Sequence, residues 1–217
     1  MKKKIITIIA AGGSGKRMGK PKQMLEICGV PVLKRTIDVF KGISSIEKII
    51  VATAKENFDV VRSFDVEVVE AGAERQNSVA NALATLPDDT DMVIVHDGAR
   101  PLITKDIIEK AIDEAEKYGA AVVAVKVKDT VKKVKLDGFI DKTIDRDSLW
   151  QAQTPQVFKF KLLTRAYENS KQDVTDDSSL VEALGQKVRI VEGSYENIKI
   201  TTPEDLVIAS NILENRL

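Results

Sequence analysis

Among 217 residues there is a single cysteine, Cys28, and a single histidine, His96. One thiol excludes an intrachain disulfide and any zinc site built from several thiolates. One imidazole excludes a metal site made of several histidines. Charge of one sign is also missing: 33 Lys and Arg balance 33 Asp and Glu, for a formal net charge of zero. The chain therefore lacks the global basic field that nucleic-acid binding exploits. Long apolar runs are absent as well. The sequence opens Met1-Lys2-Lys3-Lys4, and the apolar stretch behind it spans only about five residues, too short for the core of a signal peptide. No run approaches the roughly 20 residues that a membrane span requires. The expectation is a cytoplasmic protein with neither a nucleic-acid nor a membrane partner, forming one domain over 1–217 that is long enough for a sizeable core.

Two familiar glycine signatures are missing too. After the apolar run Ile5-Ile6-Thr7-Ile8-Ile9 comes Ala10-Ala11-Gly12-Gly13-Ser14-Gly15-Lys16-Arg17-Met18-Gly19-Lys20-Pro21-Lys22. The dinucleotide fingerprint G-x-G-x-x-G fails because Met18 stands where its third glycine belongs. The P-loop pattern fails in either register: Ser14 and Pro21, or Ala10 and Arg17, occupy its fixed positions. What remains is a short β-branched strand ending in a loop of small residues. Gly12, Gly13 and Gly15 allow positive φ and close backbone approach, and successive N–H groups in such a loop form an anion-binding concavity. Arg17 and Lys22 add full charges and strong donors. This points to a polyphosphate cradle at the carboxyl end of a first strand, where open α/β sheets bind ligands.

Apolar runs alternate with amphipathic segments along the rest of the chain. The patterns predict helices over 32–40, 57–64, 76–86, 104–118, 159–168, 178–184 and 203–213, with Thr104 and Thr202 as caps. They predict strands over 46–52, 66–70, 92–95, 120–125 and 188–191. Strand–helix alternation at this length argues a doubly wound α/β fold with a mainly parallel sheet. Residues 126–146 break the alternation. They show β-type spacing on both sides of Asp137-Gly138, a hairpin-turn signal. An isolated two-stranded ribbon is marginal in water, so this arm is expected to pack on a second subunit.

Four further clusters carry possible chemistry. Ala71-Gly72-Ala73-Glu74-Arg75-Gln76-Asn77-Ser78 follows a strand and opens a helix, so its N–H groups and Ser78 can read a base or a phosphate. His96-Asp97-Gly98-Ala99-Arg100-Pro101 ends a strand. Asp97 there can hold a ribose hydroxyl or a divalent cation that arrives with a triphosphate, while His96 fits a packed structural role better than that of a base. Arg146 lies at the base of the ribbon, ahead of Trp150 and a Gln-rich run. It reads as a phosphate clamp or, taken alone, as an ion-pair partner of Asp145 or Asp147. Lys199 alternates with Ile198 and Ile200 in a short strand and faces a cleft or solvent.

With these clusters in view, the chain resembles the 2-C-methyl-D-erythritol 4-phosphate cytidylyltransferase family. The resemblance rests on the 10–15 loop with Arg17-Met18, Pro21-Lys22-Gln23, Glu74-Arg75-x-x-Ser78-Val79, His96-Asp97-x-Ala99-Arg100-Pro101, Asp129-Thr130, Asp145-Arg146, Leu149-Trp150, Gln153-Thr154-Pro155-Gln156, Thr175-Asp176-Asp177 and Asn197-Ile198-Lys199-x-Thr201-x-Pro203-Glu204-Asp205, in that order from residue 10 to residue 205. It implies a Rossmann-like three-layer sandwich and a homodimer whose β-arm crosses to the partner. It implies transfer of a cytidylyl group from CTP to methylerythritol 4-phosphate, with Mg²⁺ and with release of diphosphate. Arg17 and Lys22 match the cations that stabilise the transition state. Arg146 and Lys199 match those that position the sugar phosphate, with Thr130, Arg100 and Thr175 beside them. Ala10, Ala11, Gly12, Gly13, Gly15, Gly72, Arg75 and Ser78 match nucleotide contacts, and Asp97 lies near the nucleotide and its metal. Ala73 stands where some members carry Asp, and Gly98 where others carry Ala. Ribitol 5-phosphate cytidylyltransferase shares many of these motifs. A non-catalytic nucleotide sensor is the alternative from another class, which the presence of Arg17 and Lys22 argues against. A dinucleotide oxidoreductase is disfavoured by the missing glycine.

Overall fold

The order of apolar and amphipathic runs becomes a seven-stranded sheet with helices on both faces. The structure is a computed structural model and describes residues 3–13, 24–170, 174 and 176–216. Strand β1 (Ile5–Ala10) is followed by two short strands, β2 (Glu26–Ile27) and β3 (Val30–Pro31), and helix α1 (Val32–Lys41). Next come β4 (Ile46–Thr53), α2 (Phe58–Arg62), β5 (Glu67–Glu70), α3 (Arg75–Leu83), β6 (Met92–Asp97), α4 (Lys105–Tyr118) and β7 (Ala120–Lys126). The chain then forms β8 (Val131–Val134), β9 (Ile140–Ile144), β10 (Trp150–Lys159), α5 (Phe160–Glu168), α6 (Asp177–Ala183), β11 (Arg189–Glu192) and α7 (Pro203–Glu214). Among the described residues no helix is long and apolar enough to cross a membrane.

The sheet order is β11-β7-β10-β6-β1-β4-β5, and only β10 runs against its neighbours. Strand β1 is β-branched almost throughout because it is buried on both faces. Ile5 and Ile9 pack with Leu33, Ile37 and Phe40 of α1 and with Ile108 and Ala111 of α4. Ile6 and Ile8 pack with Val79 and Ala82 of α3 and with Leu163 and Leu180 of α5 and α6. The three layers follow from that period of two. The chain leaves β1 for β4 on one side and returns to β6 on the other, so the switch point falls between β1 and β6. Ala10 and Asp97 are directly paired there, at the two carboxyl ends. This is where an open α/β sheet presents its ligand crevice.

Three expectations need correction. Residues 150–159, read as a polar run behind Arg146, form a central strand. Its pattern was hidden because Gln153, Thr154 and Gln156 are buried yet satisfied by hydrogen bonds, and Pro155 falls where the ladder with β7 is irregular. The segment carrying Lys199 is not a strand: it is tied to the turn after β6 by the Ile200 N–H donating to the Ala99 carbonyl at 2.8 Å and by the apolar contacts of Ile200 with Ala99, Leu102 and Ala209 of α7. Thr104 sits at the N-cap of α4 without a side-chain capping bond, whereas Thr202 and Asp205 form a reciprocal capping box on α7.

Strands β8 and β9 form a separate two-stranded sheet. The turn between them has Gly138 at φ +87° and the Phe139 N–H donating to Asp137 Oδ1 at 3.1 Å. Leu136, Phe139, Ile140 and Val134 are all exposed on it. Phe158 of β10, by contrast, is fully buried against both β6 and the α5 layer. Phe158→Ala is expected to cost about 3–5 kcal/mol of stability. Urea unfolding should show a lower midpoint at unchanged slope; a loss below about 1 kcal/mol would contradict this packing.

Candidate active site

Two glycines at the switch point allow close approaches that a side chain would block. A Cβ on Gly12 would lie 2.3 Å from the Ala71 Cβ, and one on Gly72 would lie 2.2 Å from the Asn77 Cβ. Gly12 thus lets the loop after β1 pack directly on Ala71, and Gly72 lets the turn before α3 fold tightly on Asn77 at the start of that helix. Ser78 holds this turn: its hydroxyl accepts from the Gly72 N–H at 3.1 Å and donates to the Glu74 carbonyl at 3.0 Å, and its side chain is buried. Ser78 thus shapes the loop, and no free hydroxyl is presented to a ligand. Ala73 is exposed. Gly98 is closely packed: a Cβ there would sit 3.1 Å from both Ala11 Cβ and Leu33 Cδ1.

Asp97 closes β6 and is almost completely buried. Three cations converge on it. Arg75 Nε donates to Oδ1 at 3.0 Å, while Arg100 Nε at 3.3 Å and Lys199 Nζ at 3.0 Å share Oδ2. Burial alone pushes the carboxyl pKa up, but Arg75, Lys199 and Arg100 together hold it well below the usual carboxylate range. Arg75 is itself shared, with Nη1 on Asp177 Oδ2 at 2.7 Å. Burial lowers its pKa and the two carboxylates more than compensate. Three cations against two carboxylates leave the cluster with a net charge of +1. Such a cluster suits an anionic ligand, and Lys199 is its most exposed cation, 40% open at the side chain.

The same geometry bears on metal binding. Among the described residues no group of three or more His, Cys, Asp and Glu could hold a metal ion. Both oxygens of Asp97 are covered by cations. Its carboxylate therefore does not fit the role of metal ligand that its position in the sequence suggested.

His96 faces the other side of β6, with its ring 4.8 Å from that of Phe40. Nε2 lies 3.2 Å from the Arg100 carbonyl and therefore carries the proton; Nδ1, 3.0 Å from Thr154 Oγ1, accepts. The Thr154 hydroxyl in turn accepts from the Asp97 N–H at 3.0 Å. Asn197 fixes the opposite loop, donating to Gln153 Oε1 and the Thr154 carbonyl while its own carbonyl accepts from Arg100 Nη1 at 2.7 Å. The one histidine is thus a structural strut, and burial pushes its pKa down to about 3.

The structure brings together Ala10, Ala11, Gly12 and Gly72 on one side of the switch point, and Asp97, Arg75, Arg100 and Lys199 on the other. Gly13 is exposed beyond Gly12. Arg17, Lys22, Gly15 and Thr175 lie outside the described residues. Arg146 pairs with neither Asp145 nor Asp147; its Nη1 donates to the Lys128 carbonyl at the base of the arm. Thr130 is exposed beside it. Among the described residues no hydrogen bond or ion pair links either to the Asp97 cluster. Asp177 and Tyr167, whose hydroxyl donates to Asp177 Oδ1, were not singled out from the sequence. Only the Asp176-Asp177 pair inside a quoted motif signalled them.

Comparison with known proteins gives one consistent result. The family model described as 2-C-methyl-D-erythritol 4-phosphate cytidylyltransferase (IspD) matches residues 5–215. The chain is 43% identical to the 2-C-methyl-D-erythritol 4-phosphate cytidylyltransferase of Pelotomaculum thermopropionicum, over 98% of this chain and 95% of that one. It is 44% identical to the protein of the same name from Alkaliphilus metalliredigens, over 98% and 94%. Among solved structures, the 4-diphosphocytidyl-2C-methyl-D-erythritol synthase of Anaerococcus prevotii superposes with a TM-score of 0.89 at 36% identity, covering 98% of this chain and 97% of that one. The Thermus thermophilus cytidylyltransferase does so at 0.84 and 30% identity, covering 99% and 100%.

The buried neutral His96 has a measurable consequence. Its folded pKa lies below its unfolded value, so the unfolded chain binds the extra proton first. Stability from this residue is complete above about pH 6.5 and is lost as pH falls towards about 3. Unfolding free energy should drop by up to about 1.4 kcal/mol per pH unit below about pH 6, and the part of that slope between about pH 6.5 and 5.5 lies above the range in which ordinary carboxylates titrate. His96→Gln should flatten that slope; an equal slope in the variant would contradict the assignment.

Proposed function

The chain belongs to the 2-C-methyl-D-erythritol 4-phosphate cytidylyltransferase family, and from that membership we infer that it transfers the cytidylyl group of CTP to 2-C-methyl-D-erythritol 4-phosphate. The products are 4-diphosphocytidyl-2-C-methyl-D-erythritol and diphosphate. The observation that carries the reading of the site is the convergence of Arg75, Arg100 and Lys199 on Asp97 at the carboxyl ends of β1 and β6.

We propose the following division of labour. The acceptor is a phosphate monoester, already a dianion near neutral pH. One of its oxygens forms a bond to the α-phosphorus of CTP as the bond from that phosphorus to the bridging β-oxygen breaks, and the electron pair leaves on diphosphate. No side chain need remove a proton, in keeping with a lone histidine that is buried and neutral. The protein must hold two mutually repelling anions in line and neutralise charge as it develops. The glycine-bearing loops, with Ala10, Ala11, Gly12, Gly13, Gly15 and Gly72, receive the nucleotide. Arg17 and Lys22 are assigned to neutralising the triphosphate. Lys199 receives the acceptor phosphate from its place on Asp97, together with Arg100, and Thr175 is assigned to the same substrate. Asp97 keeps Arg75, Arg100 and Lys199 at fixed spacing.

Enzymes of this family work with CTP and a divalent cation. The ion we propose is Mg²⁺, arriving with the triphosphate. The ion neutralises triphosphate charge when bound. The exposed apolar arm, with Arg146 and Thr130 at its base, supports a homodimer in which each arm completes the partner's acceptor site. A cytoplasmic location fits the small anionic substrates.

Diphosphate release from CTP should be rapid with methylerythritol 4-phosphate and slow with ribitol 5-phosphate; the reverse preference would move the chain to the sister activity. Lys22→Ala should raise the barrier by about 3–4 kcal/mol through kcat. Arg146→Ala should raise the acceptor KM about tenfold with the KM for CTP nearly unchanged, as loss of a charge-assisted hydrogen bond implies. A rise for CTP alone would remove Arg146 from the acceptor side.

A further inference from the structure

Arg75 opens α3 and spans two carboxylates that lie on different elements, Asp97 at the end of β6 and Asp177 at the start of α6. Asp177 is 1% exposed and has both oxygens engaged, Oδ2 by Arg75 Nη1 and Oδ1 by the Tyr167 hydroxyl from α5. Its place is fixed by the residues around it. Asp176 caps α6, with Oδ1 accepting from the Ser179 N–H at 3.3 Å. Asp176 Oδ2 accepts from Ser178 Oγ at 2.9 Å and from Gln156 Nε2 at 3.0 Å, while Gln156 Oε1 accepts from the Ser178 N–H at 3.0 Å. Gln156 pairs with Val95 in the sheet, two residues before Asp97. The contacts close a ring: β6 to β10, β10 to α6, Asp177 to Arg75, and Arg75 back to Asp97.

We propose that Asp177 and Tyr167 are positioning residues for the transfer reaction, acting through Arg75 to fix the plane of the Asp97 carboxylate and so the spacing of Lys199 and Arg100 on its other oxygen. The proposal rests on the reading of Asp97 as part of the substrate site. A planar guanidinium whose Nε and Nη1 are held by separate carboxylates cannot pivot. Released from Asp177, Arg75 rotates about its remaining contact, Asp97 follows, and the cations that face the acceptor lose their register. The network is buried, and Asp177 and Tyr167 touch Asp97 only through Arg75. Its two carboxylates and one guanidinium sit in a region where a small displacement costs much in rate.

The test is a double-mutant cycle on kcat/KM for the acceptor, measured per mole of folded protein well below the melting temperature of every variant. Asp177→Asn should lower kcat/KM about tenfold, Arg75→Lys by a similar factor because one ammonium cannot span both carboxylates, and Tyr167→Phe about threefold. Asp97→Asn should lower it about a hundredfold. The decisive outcome is non-additivity: Asp97→Asn combined with Asp177→Asn should be no slower than Asp97→Asn alone, which a merely structural loss would not produce. Tyr167→Phe keeps the packing, and it carries the same cycle if Asp177→Asn does not fold. Multiplicative losses in the cycle, or wild-type kcat/KM in both Asp177→Asn and Tyr167→Phe, would overturn the proposal. Unchanged kinetics in Asp97→Asn would overturn the reading of the site on which it rests, and the proposal with it.

Discussion

One ionised carboxylate at the end of β6 sets the arrangement of the site. Asp97 is taken out of water by the sheet on which it sits, and an isolated charge there would be prohibitive. Three cations from three separate places in the chain remove that penalty: Arg75 from α3, Arg100 from the turn after β6, and Lys199 from the loop before α7. Each is held by something else as well, Arg75 by Asp177, Arg100 by the Asn197 carbonyl, and Lys199 through Ile200 on Ala99. The loops of the candidate site are therefore not independently placed. They share one buried charge, and moving any of them exposes or unpairs it.

This arrangement suits a reaction whose difficulty is the meeting of two anions. Cations clustered with no counter-ion would repel each other and drift apart in the empty site. A central carboxylate keeps them close before either substrate arrives, so little reorganisation is needed when charge develops. The small net positive charge of the cluster is enough to attract phosphate without trapping it. The neutral, buried His96 belongs to the same economy. It bridges Thr154 and the Arg100 carbonyl, so it braces the backbone on both sides of Asp97 without adding a charge that titrates near neutrality.

Much of the fold was legible because its signals are local. The β-branched run of β1, the glycine-bearing loop after it and the capping box of Thr202 and Asp205 all lie within a few residues. Strand β10 was not legible, because its inward-facing Gln153 and Gln156 look polar until their hydrogen-bond partners are known, and those partners are residues 176, 178, 194 and 197. For the same reason the ion pairs of Arg75 were not legible. Its spacing before Ser78 is visible in the sequence, but its partners at positions 97 and 177 are brought to it only by the sheet order. Arg146 shows the converse error: two adjacent aspartates suggested an ion pair, and the folded arm base supplied a backbone carbonyl instead.

The most direct test of the account is a carbon-13 NMR titration of the Asp97 carboxyl, assigned with Asp97→Asn. If three cations hold this group ionised, its resonance stays at the carboxylate position at every pH at which the protein remains folded. A titration step at about pH 4 or above, in the ordinary carboxylate range, would show that the cations do not converge on Asp97 in solution and would contradict the account.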